Sequence, residues 1–237
     1  MRKLSAKWVP KCLNVNKKRQ QCQPSEEVLK FFRHDPHDFL SRLVTTDETW
    51  LYHHDPETKQ QSMVWRHSSS LRPKKFRVQK SAGNVLASIF FGDQEGILLI
   101  DYLPKGQTVN AEYYSSLLVQ PKDILKKNRR GKVTKGVLFL HDNAPAHRAL
   151  ATQKKLAYPG FQCLEHPPYS PILTPSDYHL FPGQKKQLKV RHFPSNAVIA
   201  AADTWLDGQP TELFLSGLQK LEQRAKKCIE LRGEYVE

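Results

Sequence analysis

The chain has 237 residues, with 37 Lys and Arg against 23 Asp and Glu, so its formal net charge is +14 and its sequence pI is near 9.6. At 39% hydrophobic and 25% charged residues it groups with globular proteins. No apolar run approaches the ~18 residues of a membrane span, and no charged-then-apolar leader opens the sequence, which sets aside membrane and secretory classes. Four scattered cysteines (Cys12, Cys22, Cys163, Cys228) with no C-x-x-C pair argue against a disulfide scaffold and for a reducing, intracellular setting, while the positive surplus points to a polyanion, either nucleic acid or an acidic membrane surface.

Residues 1–23 are basic and irregular (Arg2, Lys3, Lys7, Lys11, Lys17, Lys18, Arg19) with Pro10 among them, and read as an arm or linker. A helix is expected from Ser25, which can cap it, through Val28, Leu29 and Phe32 to a stop at Asp35-Pro36. Phe39 to Tyr52 and Ser62 to His67 are rich in β-branched and aromatic residues and read as strands. Asn84 to Phe91 and Ile97 to Tyr102, joined by Gly92-Asp93-Gln94-Glu95-Gly96, read as a hairpin. Asn110 to Asn128 has helical spacing, with Pro121 expected to kink or split it. Gly136 to Leu140 is a continuous apolar run, as expected of a strand buried on both faces. Ala146 to Leu156 (helix), Gly160 to Leu164 (strand) and Ser176 to Leu188 (helix, bent at Pro182-Gly183) follow, then helices at Ala197 to Leu206 and Thr211 to Leu231. Three antiparallel strands giving way to alternating helices and strands make an α/β mixed sheet with helices on both faces, the ribonuclease H type of arrangement. The expected organisation is a linker and helical lead-in over 1–38, a catalytic domain over 39–192, and C-terminal helices over 193–237 packing on it.

Carboxylates at strand ends can converge on one side of a sheet. Asp47 lies in the first strand, Asp142 follows the buried strand directly, and Asp177 opens the helix after the last strand. Three such groups form an all-oxygen site suited to Mg²⁺ or Mn²⁺, and a pair of ions in such a site serves in-line phosphoryl transfer. Each Asp taken singly also has a plainer reading, as an exposed strand-end acid, a turn residue and a first-turn helix acid respectively.

The order and separation of motifs sharpen this. Trp8-Val9-Pro10, Asp47-Glu48-Thr49-Trp50, His141-Asp142-Asn143-Ala144-Pro145-Ala146-His147, Tyr169-Ser170-Pro171 and Pro175-Ser176-Asp177-Tyr178-His179 occur in sequence, and 177 − 142 − 1 = 34 residues separate the last two acids. In these features the chain resembles the catalytic region of the mariner family of transposases, within the DDE superfamily. The resemblance implies a ribonuclease H-like domain with Asp47, Asp142 and Asp177 as catalytic, metal-holding residues. It further implies two Mg²⁺ or Mn²⁺ ions and double-stranded DNA (transposon ends and target DNA) as substrate, cut by metal-assisted hydrolysis and then joined through the freed 3′-hydroxyl. Pairing as a homodimer and a nuclear location go with it, and no membrane.

Asn143 and His147 are candidates to orient Asp142 or contact a phosphate, although a turn Asn and a helix-start His need no such role. His53 and His54 lack metal-ligand spacing, and Trp50 and Trp65 fit either base stacking or a core. Three basic clusters, Lys74-Lys75-Arg77-Lys80, Lys126-Lys127-Arg129-Arg130-Lys132-Lys135 and Lys185-Lys186-Lys189-Arg191, are candidate phosphate-tracking surfaces. Mariner transposases carry helix-turn-helix modules ahead of the catalytic region, and no such modules precede the linker here. Ile172 stands where the family usually has Asp, and Thr174 where Ala is usual. The sequence therefore reads as a truncated or decayed copy with its acids intact, and the alternative is a non-catalytic DNA-binding or dimerisation remnant.

Overall fold

The structure is a computed structural model that describes residues 2–4, 13–51, 64–66, 85–92, 96–104, 106–128, 136–157, 161–164, 166, 172–188, 197–234 and 236. Strands β1 (Arg2–Leu4) and β3 (Val64–Arg66) pair antiparallel in a small ribbon of their own. The central sheet is built from β2 (Leu43–Leu51), β4 (Val85–Gly92), β5 (Ile97–Leu103), β6 (Val137–Leu140) and β7 (Phe161–Leu164), in the spatial order β5-β4-β2-β6-β7. The first three are antiparallel neighbours, and β6 and β7 add to β2 in parallel. This is the expected α/β mixed sheet, with three antiparallel strands meeting a parallel pair. The expected strand at Ser62 to His67 forms at Val64–Arg66 but pairs with β1 and stays out of the central sheet.

Both faces of the sheet are covered, and the period-2 alternation of the strands divides the core between them. Leu43, Ile89, Leu138 and Leu140 face one side, under α1 (Val15–His34), α2 (Pro36–Arg42), α7 (Phe181–Leu188), α8 (Ala197–Asp207) and α9 (Thr211–Glu230). Val44, Phe90, Val137 and Phe139 face the other, under α3 (Ala111–Leu117), α4 (Val119–Asn128) and α6 (Leu150–Ala157). All four residues of β6 are buried, as a strand covered on both faces requires. Phe139 stacks between Phe90 and Phe161, with centroids 6.3 and 5.5 Å away.

Four local expectations change. The first helix begins at Val15, ten residues before Ser25, because Asn14 caps it by accepting the Lys17 N–H at 2.9 Å. Ser25 is instead buried within that helix, its hydroxyl donating to the Gln21 carbonyl at 2.9 Å, and Pro24 is tolerated because α1 packs along α9. Phe39 to Arg42 is the end of α2 and not strand: Asp35 caps it, Pro36 occupies its first turn, and Phe39 packs against Phe31 and Phe32. The helix expected over Ala146 to Leu156 is broken into α5 (Pro145–Arg148) and α6 by extended backbone at Ala149.

The proline effects follow their chemistry. The Asn110 to Asn128 segment splits at Leu118, which places Pro121 in the first turn of α4, where a missing N–H costs least. The bend near Pro182 appears just ahead of it, as a π-helical turn over Ser176–Leu180 that leads into α7.

Candidate active site at the ends of the central strands

Strand register brings the first two acids level. Thr45 of β2 pairs with Leu140 of β6 in parallel. Asp47 lies two residues past Thr45 and Asp142 two past Leu140, so both stand beyond that pair in the same direction. Asp47 also shares the parity of Leu43, on the sheet face covered by α7 and α9. The π-helical turn that carries Asp177 packs against β2 on that face.

The three carboxyls sense one another. Asp47 and Asp177 lie close enough for each carboxyl to act on the acidity of the other. Burial, then the charge of Asp177 and of Glu48, holds Asp47 well above the usual carboxylate range, with Asp142 adding to the push. Burial also raises Asp177, although Lys185 in α7 pulls the other way. Two neighbouring carboxyls that burial and each other's charge disfavour suit a hard cation, and their all-oxygen donor set matches Mg²⁺ or Mn²⁺.

Asp142 is engaged differently. One carboxylate oxygen lies 2.7 Å from His147 Nδ1 and accepts the Ala144 N–H at 2.9 Å. Burial would raise Asp142, but the His147 hydrogen bond and the Ala144 amide prevail and hold it below its ordinary value. Accordingly, among the described residues no group of three or more His, Cys, Asp or Glu side chains is gathered closely enough to hold a metal ion. The structure thus joins Asp47 to Asp177 and ties Asp142 to His147.

His147 is nearly fully buried, and its Nε2 approaches Glu48 Oε1 at 3.5 Å while the Tyr114 ring lies across it at 3.8 Å between centroids. Burial opposes a charge on this ring, yet the carboxylates of Asp142 and Glu48 together push its pKa from 6.5 up to about 10. Its neighbour His141 goes the other way, down to about 3, because burial and the His147 charge both disfavour a second cation. His141 Nδ1 is 3.1 Å from the Tyr114 hydroxyl. Asn143 is half-exposed in the same loop.

Glu48 and Tyr114 were missed as site residues. The signal for Glu48 was its place next to Asp47, since the opposite strand parity sends it to the other face, where His147 and Tyr114 sit. Tyr114 looked like any apolar position of a helix.

Of the basic residues, Lys185 and Lys186 are exposed on α7, and the Lys185 ammonium sits 5.6 Å from the Phe181 ring centroid. Lys126 and Lys127 fall within α4, but their side chains are outside the described residues, as are Lys74, Lys75, Arg77, Lys80, Arg129, Arg130, Lys132, Lys135, Lys189 and Arg191. The motif residues Trp8-Val9-Pro10 and Tyr169-Ser170-Pro171, and His53 and His54, lie there too. Trp50 is 46% exposed at the end of β2. Ile172 is buried in the main core and Thr174 is buried with its hydroxyl 3.1 Å from His166 Nε2.

Comparison with known proteins agrees with this fold. A family described as "Transposase (partial DDE domain)" matches residues 55–135, a stretch between Asp47 and Asp142 that contains none of the three acids. The Mariner Mos1 transposase of Drosophila mauritiana is 33% identical over 236 residues, 98% of this chain and 66% of that protein, so the chain spans about two thirds of its relative's length. Among solved structures, a pre-cleavage Mos1 transpososome superposes with a TM-score of 0.83 at 30% identity, covering 100% of this chain and 68% of the other. The Mos1 paired end complex with Mn gives 0.82 at 30% identity, covering 100% and 68%. The isolated Mos1 catalytic domain gives 0.78 at 29% identity over 97% of this chain and 100% of that one. The ribonuclease H-type sheet, the levelled acids and a likeness that runs the length of the chain lead to one assignment: the protein belongs to the mariner transposases and corresponds to their catalytic region.

Proposed function

We propose that this chain cuts DNA strands at transposon ends and joins the freed 3′-hydroxyl to target DNA, using two Mg²⁺ or Mn²⁺ ions held by Asp47, Asp142 and Asp177. The observation that carries the reading is the pairing register, which levels Asp47 with Asp142, together with the packing of the Asp177 turn against β2. The Mos1 complex that contains Mn supports a divalent metal, and the transpososome supports double-stranded DNA as the partner. When bound, the metal would activate the attacking oxygen and stabilise the leaving one.

The chain's own residues do the rest. Asp47 and Asp177 supply adjoining carboxyls whose crowding is relieved by a cation. His147 and the Ala144 amide hold Asp142 at the strand end, and Asn143 stands beside it as a further group to orient that acid. Lys185 and Lys186, on the helix that follows Asp177, offer positive charge to a phosphate backbone that three carboxylates would otherwise repel. The basic clusters around Lys74, Lys126 and Lys189 extend the same role, and homodimerisation and a nuclear location complete the proposal.

The test is strand cleavage of a duplex carrying mariner ends in Mg²⁺ or Mn²⁺, with Asp142→Asn alongside. Metal-dependent nicking by the parent chain alone supports the proposal. Equal nicking by both chains, or salt-dependent DNA retention with no cleavage by either, overturns it, and the second outcome marks a non-catalytic DNA-binding remnant.

A further inference from the structure

Helix α9 lies outside the three acid-bearing segments, yet it grips the chain on either side of Asp177. The Tyr178 hydroxyl donates to the Gly217 carbonyl at 2.8 Å, and His179 Nε2 donates to the Leu213 carbonyl at 2.9 Å, with Ser216 Oγ at 3.1 Å. Lys220 Nζ lies 3.3 Å from His179 Nδ1. Arg224 sits over the Tyr178 ring at 4.5 Å and donates to the Ile172 and Val236 carbonyls at 2.9 and 3.0 Å. Successive residues of a helical turn point roughly 80–100° apart, so Tyr178 and His179 point to the side and rear of Asp177. The turn is therefore pinned from behind while the Asp177 carboxyl meets Asp47.

Gly217 is what allows the approach. A Cβ there would lie 2.7 Å from His179 Cδ2, closer than carbon atoms approach. Facing the Leu213 carbonyl, Nε2 carries the ring proton and donates, which leaves Nδ1 to accept from Lys220.

We infer that α9 is a positioning element for the third acid, with Tyr178, His179 and Gly217 setting where the Asp177 carboxyl stands. The inference rests on the reading of Asp177 as a metal-holding residue.

The experiment is calorimetric Mn²⁺ titration of the full chain, well below the melting temperature of each variant, with thermal unfolding in parallel. Asp177→Asn tests the underlying reading and is expected to weaken Mn²⁺ binding by at least about tenfold. Gly217→Ala should weaken it by about tenfold, and Tyr178→Phe, which keeps the ring and loses one hydrogen bond, by roughly three- to tenfold. Adding Gly217→Ala to His179→Ala should cost nothing further, because the methyl then has room; such non-additivity is the mark of coupling through the imidazole ring. If Asp177→Asn loses Mn²⁺ while Tyr178→Phe and Gly217→Ala bind it as the parent does, the positioning role is wrong. Unchanged binding by Asp177→Asn overturns the reading beneath it. Should Gly217→Ala fail to fold, Tyr178→Phe decides.

Discussion

His147 sits where two carboxylates meet, and replacing it with Gln tests whether it is a charged clamp. At about 1.4 kcal/mol per pH unit, a rise from 6.5 to about 10 corresponds to roughly 5 kcal/mol of preference for the charged ring. Glu48 and Asp142 keep 17% and 22% of their side-chain surfaces open, so solvent relaxes part of that, leaving about 2–4 kcal/mol. For a chain of this size the variant should melt roughly 5–15 °C lower at pH 6. The sign with pH is fixed by linkage: a histidine whose pKa is raised on folding stabilises fully below its unfolded value of 6.5 and loses that stability as pH rises through about 10. Urea unfolding of parent and variant at pH 6, 8 and 9.5 should therefore show a gap that narrows with pH. Other titrating groups largely cancel in the difference. The lost contact with Tyr114 leaves a pH-independent remainder. A gap that stays constant from pH 6 to 9.5 would show that His147 is neutral in the fold and that Asp142 is held by something else.

Three further outcomes are expected. Asp47→Asn should raise the apo melting temperature at pH 8, because the raised carboxyl is less stable charged in the fold than in the unfolded chain; scanning fluorimetry should show the gain fading toward pH 4 as the parent's carboxyl protonates. Phe139→Ala empties the stack between Phe90 and Phe161 and should cost about 3–5 kcal/mol in denaturant unfolding. Lys185→Ala with Lys186→Ala should reduce the salt dependence of DNA retention on a filter by about one to two units of slope.

Much of this was legible in the sequence, and the reasons are local. The run Gly136 to Leu140 could be read as a strand covered on both faces because nothing polar interrupts it, and Asp142 then had to stand at its end. The level of Asp47 against Asp142 needed the register of β2 with β6, which is a pairing between distant segments. Phe39 to Arg42 misled because it runs straight into the β-rich stretch that follows, and it is the Asp35 cap and the packing of Phe39 on the Phe31 and Phe32 rings that make it helix. The early start of α1 was hidden by Pro24, whose cost is met by packing on α9. Glu48 escaped notice for the opposite reason: being adjacent to Asp47 in a strand places it on the far face, where only the fold brings His147 to it. The grip of α9 on Tyr178 and His179 joins residues some 34 to 46 positions apart, and no periodicity announces it.

The central claim is that Asp47, Asp142 and Asp177 together hold a divalent metal. The most direct measurement is anomalous diffraction from crystals soaked in Mn²⁺, recorded at the manganese edge. The account predicts density in contact with the carboxyls of Asp47 and Asp177, with Asp142 turned from His147 to join them. Manganese bound elsewhere, or none at these carboxyls at concentrations that support cleavage, would contradict it.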